Sequence, residues 1–181
     1  MKRNIFILVL TLQSAWILGT TFLQERALAT GTVILLETRP VDPRDLLRGD
    51  YVILNYKISD VPTNLFSPPL TRPLENGETV YVALARRGEF HEVVRASLEH
   101  FDAGKDEVVL KGQGHGWWNS AQENAIHLQY GLEQYYVREG TGNPRGKLTV
   151  EAVVPASGRA SIKQVFLDGQ PYAKAMKGNS R

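Results

Sequence analysis

The residues with the most scope for chemistry are concentrated between Val41 and Tyr56, in the sequence VDPRDLLRGDYVILNY. Charges of alternating sign lead into a strand-like segment that begins with a tyrosine. These residues are Asp42, Arg44, Asp45, Arg48, Asp50 and Tyr51. Arginine binds carboxylates and phosphates through paired, charge-assisted hydrogen bonds, so the stretch predicts a surface for an anion or a partner's carboxylate. The alternative is a local ion-pair network that fixes the loop, at about 0–1 kcal/mol per exposed pair.

A second acidic and aromatic segment, Gly131 to Val137, contains Glu133, Tyr135 and Tyr136. Glu133 is a candidate partner for one of the arginines of the first stretch. The two segments together form our candidate recognition surface. A catalytic acid would need a second carboxylate close by, and Asp50 is the candidate for that role. We predict no catalytic residue, and we keep as an alternative a hydrolase that uses Asp50 and Glu133.

The composition limits the other kinds of chemistry. The 181 residues contain no cysteine, which excludes disulfides, thiol catalysis and thiolate metal sites. The four histidines lie in separate segments and none has a second histidine at ligand spacing along the chain; they are His91, His100, His115 and His127. The 21 basic and 19 acidic residues give a net charge of +2, too small for a nucleic-acid partner. The sequence therefore predicts no metal, no cofactor and no nucleic-acid partner.

An apolar segment without charge precedes these stretches, from Ile5 to Phe22. Eighteen helical residues span about 27 Å, close to the hydrocarbon thickness of a bilayer. Lys2 and Arg3 before it favour an N terminus in the cytoplasm and a chain that continues outside. The sequence predicts an uncleaved membrane anchor over residues 1–29. The alternative is a signal peptide that is cut near Ala29, which would release a secreted or periplasmic domain.

The remaining chain has the pattern of an all-β domain, assigned here to residues 30–172, with a basic and disordered tail over residues 173–181. Short β-branched and aromatic segments alternate with turn residues. The predicted strands are 32–38, 51–56, 79–85, 90–98, 107–111, 125–130, 131–137, 148–154 and 160–167. About seven to nine such strands predict an antiparallel barrel or sandwich. A barrel is slightly favoured because no long unpaired edge is obvious. Within strand 51–56, Val52, Leu54 and Tyr56 share the face expected to be buried.

Three further features bear on packing and binding. The hairpin of strands 79–85 and 90–98, with strand 107–111 after it, predicts a three-stranded meander. The proline-rich loop from Lys57 to Gly77 is expected to place Leu65, Phe66 and Leu70 over the core. The glycine-rich segment around Trp117 and Trp118 is expected to cap the core; alternatives are stacking on a sugar and contact with the membrane interface.

The pattern Gly49-Asp50-Tyr51-x-x-Leu54-x-Tyr56 resembles the signature of the bacterial GDYXXLXY family. The upstream Pro40-Val41-Asp42-Pro43-Arg44-Asp45 and the downstream Tyr130-Gly131-Leu132-Glu133-Gln134-Tyr135-Tyr136 are also similar to the family's pattern. The resemblance covers nearly all of the chain after the apolar segment. It implies a membrane-anchored, extracytoplasmic domain, often accompanied by a polytopic membrane protein. It supplies no catalytic residues.

We therefore expect a membrane-anchored accessory or binding domain beside an integral membrane partner. The rival class is an envelope hydrolase or carbohydrate-acting enzyme, in which Asp50 and Glu133 would lie a few ångströms apart in an open cleft. A third class is a purely structural envelope protein.

Overall fold

The computed structural model describes residues 2–39, 51–115, 124–137 and 146–178. A long helix is followed by eleven short strands among the described residues, with two 3-10 helices and a final short helix. In chain order these are α1 (Lys2–Thr30), β1 (Thr32–Glu37), β2 (Tyr51–Ile53), a 3-10 helix (Lys57–Ser59), β3 (Asp60–Pro62), a 3-10 helix (Thr63–Leu65), β4 (Thr79–Arg87), β5 (Phe90–Ser97), β6 (Glu107–His115), β7 (Ala125–Gln129), β8 (Gln134–Tyr136), β9 (Leu148–Val154), β10 (Ser161–Leu167), β11 (Gln170–Pro171) and α2 (Tyr172–Gly178).

The all-β prediction is confirmed, and each of the nine predicted strands has a counterpart. Alternation placed the side chains on the correct faces in the central strand region. Val52, Leu54 and Tyr56 are at most 1% exposed, whereas Tyr51 and Ile53 are half-buried. The two additional strands, β3 and β11, have three and two residues, and each ends in a proline, which argues against a strand in the sequence.

The strands form sandwich-like antiparallel sheets. A four-stranded sheet has the order β1-β9-β10-β11, a five-stranded sheet has the order β3-β7-β6-β4-β5, and β2 and β8 form a separate two-stranded ribbon. The preference for a closed barrel was wrong. Edge strands β1 and β5 approach each other without forming a ladder, and the imidazole of His91 accepts a hydrogen bond from the Leu35 amide across that seam at 3.1 Å.

The predicted meander is also wrong in its order. The β4–β5 hairpin forms as expected, but β6 pairs with the opposite edge of β4, from Thr79↔Gln113 to Ala85↔Glu107. The connection between β5 and β6 is long enough to cross to that side. The free edge of β5 is occupied instead by the proline-rich loop, where the Ser67 amide donates to the carbonyl of Ala96 at 2.9 Å.

The proline-rich loop packs onto the domain. Phe66 is 4% exposed and Leu74 is 5% exposed, and Leu70 packs against the same core cluster. Phe66 and Leu70 therefore lie over the core as expected, and Leu74 adds to it. Leu65, the third residue of the prediction, is only half-buried and lies outside that cluster. The C-terminal segment is ordered as α2, where the sequence suggested a disordered tail. Tyr172 and Met176 supply its buried face, at 2% and 7% exposure.

The junction between α1 and the domain is a single residue, Gly31. Helix α1 is long and apolar enough to cross a membrane from Asn4 to Thr30. From Asn4 to Arg26 its side chains are exposed, after which Ala27 and Leu28 are half-buried. A Cβ atom on Gly31 would lie 3.0 Å from the backbone carbonyl of Val154 and would overlap the side chain of Val153. The close approach of β9 therefore requires glycine at this junction.

Candidate functional site

The site is centred on the ribbon of β2 and β8, which brings the two segments of the predicted recognition surface together. The register pairs Tyr51 with Tyr136 and Val52 with Tyr135. The rings of Tyr51 and Tyr136 are tilted by 58° with centroids 6.0 Å apart. Tyr136 is 73% exposed. Directly paired residues share one face of a ladder, so the ribbon carries an aromatic pair on its solvent side.

The opposite face of the ribbon is fixed to the core. The Tyr56 hydroxyl donates to the Leu132 carbonyl at 2.7 Å, and the Leu54 amide donates to the Glu133 carbonyl at 2.8 Å. The Tyr130 hydroxyl donates to the Ile58 carbonyl at 2.8 Å. The residues of the Leu54-x-Tyr56 pattern thus hold the Tyr130–Glu133 segment in place, and their contacts are structural.

Glu133 closes a tight turn. Its Oε1 atom accepts a hydrogen bond from the Tyr130 amide at 2.6 Å, and Gly131 between them has a φ of +77°. Glycine adopts such a positive φ without steric cost. Burial raises the pKa of the Tyr56 and Tyr130 hydroxyls, and the nearby charge of Glu133 raises both further. Both phenols therefore remain protonated donors at any physiological pH.

The structure unites four of the predicted site residues: Tyr51, Glu133, Tyr135 and Tyr136. They play different parts. Tyr51 and Tyr136 lie on the exposed face, whereas Tyr135 packs edge-on against Tyr172 of α2 with ring centroids 5.7 Å apart. Five further predicted site residues lie outside the described residues, and so do Trp117 and Trp118. The five are Asp42, Arg44, Asp45, Arg48 and Asp50.

A charged cluster that the sequence did not indicate surrounds Asp60 on β3. The carboxylate is 8% exposed and contacts two groups, the guanidinium of Arg39 and the Nδ1 atom of His127 at 2.8 Å. The register places Asp60 directly opposite His127 of β7. These residues are separated by at least 20 positions along the chain. Only strand pairing, which sequence patterns do not specify, brings them together.

A second cluster lies at the seam between β1 and β5. Glu37 binds two lysines, Lys57 at 2.6 Å and Lys147 at 2.9 Å. Hydrogen bonds from Lys57 and then Lys147 lower the pKa of the Glu37 carboxyl. The adjacent groove has a volume of about 210 Å³ and includes His91 in its lining. Burial lowers the pKa of His91, and the positive charge of Arg86 lowers it further.

Among the described side chains, no group of three or more His, Asp or Glu is arranged to hold a metal ion. Asp60 and His127 form a pair of such residues, and the position opposite His127 on its other side is His115 of β6.

Comparison with curated proteins found no match, and comparison with solved structures found none either. Comparison with protein families found one. The family model described as GDYXXLXY protein matches residues 13–165, which include the second half of α1, the ribbon and most of both larger sheets. The chain therefore belongs to the GDYXXLXY protein family.

Proposed function

We propose that this protein is a membrane-anchored, extracytoplasmic binding subunit that acts beside an integral membrane partner. The observation that carries the proposal is the tyrosine pair on the ribbon, in which Tyr136 is 73% exposed and Tyr51 is half-buried. Tyrosine supplies a large contact area with few rotatable bonds and is enriched in binding interfaces. Tyr51 lies directly after the charged stretch 42–50, so one residue of the aromatic pair is adjacent to these charges along the chain.

The length and composition of α1 support the anchor. Its apolar residues are exposed, which is unfavourable in water and favourable in a bilayer. A cleaved signal sequence near the N terminus would have the same apolar character. Two features favour retention. The segment Gln24, Glu25 and Arg26 separates the apolar run from the Ala27-Leu28-Ala29 triplet, and α1 continues through that triplet to Thr30.

The orientation rests on charge. Lys2 and Arg3 precede the apolar run, and positive residues favour the cytoplasmic side. The domain would then lie outside the cytoplasm. Its lack of cysteine is compatible with that compartment.

The environment of Glu133 weighs against the enzymatic alternative. Its Oε1 atom is already engaged by the Tyr130 amide, a role that stabilises a turn. Asp50, the second carboxylate of that alternative, lies outside the described residues. The accessory role therefore remains the better supported proposal.

The test is photo-crosslinking of the full-length protein in its native membranes. A photo-reactive amino acid replaces Tyr51 in one variant and Tyr136 in a second. The matched control carries it at Lys105, an exposed residue in the turn before β6. We expect both ribbon positions to capture the same multi-spanning membrane protein and the control to capture none.

Two results would contradict the proposal. One is the absence of any adduct at both ribbon positions in a folded, membrane-bound protein. The other is equal capture at Lys105, which would indicate random collision within the membrane.

A further inference from the structure

We propose that the end of the domain beside α1 is a contact surface for the bilayer, and that a cavity in this surface holds the headgroup of a zwitterionic phospholipid. The inference rests on the membrane anchor proposed above. The cavity has a volume of about 320 Å³, and its walls come from the end of α1, the connection between β5 and β6, and the turn between β9 and β10. Small-molecule sites usually have volumes of about 300–1,000 Å³.

The first step concerns the height of the cavity above the hydrocarbon core. The apolar run of α1 ends at Phe22, and Thr30, which lines the cavity, follows eight residues later. Eight helical residues rise by about 12 Å. A headgroup layer is about 5–8 Å thick on each side of the bilayer. The cavity therefore begins no more than about 7 Å above the outer edge of the headgroups, and any tilt of the helix shortens that distance.

The second step concerns the contact between the domain and the helix. The side chains of α1 are exposed from Asn4 to Arg26, whereas Ala27 and Leu28 are half-buried. Leu28 lies about 3 Å closer to the membrane than Thr30, at 1.5 Å per residue. The domain therefore packs against the last turns of α1 and is held close to the headgroups. The bilayer surface is thus the occupant that lies within reach of the cavity.

The third step concerns the rigidity of the cavity wall. The Oε2 atom of Glu107 accepts hydrogen bonds from Arg95 at 3.2 Å and from the Gly104 amide at 2.9 Å. The Arg95 guanidinium also lies over the Phe101 ring, 4.0 Å from its centroid. These contacts tie the connection between β5 and β6 to both strands. The wall is therefore already formed before any lipid binds.

The fourth step concerns charge and selects the headgroup. Two acidic residues line the cavity, Asp102 and Glu107. Glu107 is neutralised by its ion pair with Arg95. Asp102 is exposed, and no ion pair of Asp102 occurs among the described residues. The cavity thus carries one uncompensated negative charge, which attracts an ammonium group and repels a headgroup that carries only negative charge. Zwitterionic phospholipids present such an ammonium at this height.

The first experiment measures the contact with headgroups. The full-length protein is reconstituted into phosphatidylcholine vesicles in which a fraction of the headgroups carries a nitroxide quencher. A fluorophore is attached to a single cysteine in Ala156→Cys, since the unaltered chain has no cysteine and Ala156 is an exposed residue of the cavity wall. We expect the nitroxide to quench this probe strongly.

Asn55→Cys is the matched control. Asn55 is exposed, and its carbonyl accepts from the Arg39 amide at the end of β1 remote from α1. Thr32 and Arg39 are separated by about 23 Å along the extended chain, at 3.3 Å per residue. The probe at this position should show little quenching.

The second experiment measures headgroup selectivity by native mass spectrometry of the full-length protein from nanodiscs of equal phosphatidylethanolamine and phosphatidylglycerol content. We expect phosphatidylethanolamine to be retained in about two- to fivefold excess, the ratio that an exposed ion pair supplies. Asp102→Asn should remove the preference. Asp106→Asn should keep it, because Asp106 is exposed on the same connection but lies outside the cavity wall. Its φ of +65° is one that asparagine adopts readily.

Each outcome has a separate meaning. Equal quenching of the two probes, in protein that stays in the vesicles after an alkaline wash, overturns the membrane contact. Equal retention of the two lipids, or a preference that survives Asp102→Asn, overturns the headgroup site. Protein that leaves the vesicles in the alkaline wash overturns the proposed anchor, and this inference falls with it.

Discussion

The Tyr56 hydroxyl is the clearest case of a single atom that holds the site in place. It donates to the Leu132 carbonyl at 2.7 Å from a side chain that is 1% exposed. Removing a buried partner leaves the other group without a hydrogen bond, which costs about 1–3 kcal/mol.

We therefore predict that Tyr56→Phe lowers the free energy of unfolding by about 1–3 kcal/mol, since the Leu132 carbonyl loses its donor. Tyr136→Phe is the control, because its hydroxyl is exposed and, among the described residues, makes only a 3.4 Å contact with Gln134. Urea denaturation of both variants in detergent measures the difference. Equal stability of the two variants would show that the Tyr56 hydrogen bond contributes nothing.

Glu133 offers a test that separates a structural carboxylate from a catalytic one. Its Oε1 atom accepts from the Tyr130 amide, and a glutamine oxygen can accept the same bond. We predict that Glu133→Gln retains most of the stability, whereas Glu133→Ala loses about 1.5–3 kcal/mol, the range for a hydrogen bond to a charged group. Thermal unfolding gives the comparison. A large and equal loss in both variants would mean that the charge itself, and not the hydrogen bond, stabilises the turn.

The sequence predicted which residues of a strand are buried better than it predicted the contacts between strands. It placed Val52, Leu54 and Tyr56 on the buried face because alternation is a local property. It could not show that the Tyr56 hydroxyl reaches Leu132, or that Asp60 meets His127, because those contacts depend on register.

At the scale of elements, the imidazole of His91 bridges the seam between β1 and β5. His91 accepts from the Leu35 amide through Nδ1, and a proton on that atom would remove the acceptor. The folded state keeps His91 neutral, because burial lowers its pKa below the ordinary value of 6.5. The unfolded chain then binds more protons in mild acid. The contribution of His91 to stability is complete above pH 6.5 and is lost as the pH falls from there towards the lowered pKa.

We predict that the unaltered protein loses more stability between pH 7.5 and 5.5 than His91→Gln, which cannot titrate in that range. Glutamine retains an oxygen that can accept from the Leu35 amide. Thermal unfolding at both pH values measures the two slopes. Parallel slopes would show that the acid sensitivity between pH 7.5 and 5.5 does not come from His91.

The junction between α1 and β1 makes a second prediction at this scale. Gly31→Ala places a Cβ atom against Val153 and 3.0 Å from the backbone of Val154. Because backbone cannot move aside as a flexible side chain can, we predict a loss of about 1–3 kcal/mol, the usual cost of overpacking. Gly19→Ala is the control, since nothing lies within 4 Å of its new Cβ atom. Thermal unfolding of both variants distinguishes a local clash from a general effect of replacing glycine.

The sequence predicted the elements well and their arrangement only in part. Nine strands were recognisable from turn residues and β-branched segments, but the order β6-β4-β5 was not, since a connection of nine residues can lead to either edge of a hairpin. The prediction of a closed barrel was wrong for a related reason. Whether two edges form a ladder depends on their separation in space, and here a side chain bridges them instead.

At the scale of the whole molecule, the absence of cysteine allows topology to be measured directly. We predict that a cysteine in place of Lys105 reacts with a membrane-impermeant maleimide while the membrane that holds the anchor is still intact. Any envelope layer outside that membrane is first made permeable to the reagent. A cysteine placed at Lys2 should react only after the membrane itself is disrupted. Reaction at Lys2 before disruption would reverse the orientation. A shorter mature protein in the soluble fraction would identify a cleaved signal.

The single residue between α1 and β1 also limits the distance from the membrane at which the domain can contact a partner. Because no flexible linker joins the domain to its anchor, the domain cannot move far from the end of the helix. Tyr56 pairs with Thr38, and β2 continues beyond the end of β1 that is remote from α1. About twelve extended residues therefore separate Tyr51 from the helix, a reach of at most about 40 Å at 3.3 Å per residue. A partner held by the tyrosine pair would therefore have to present its contact surface within about 40 Å of the end of the helix.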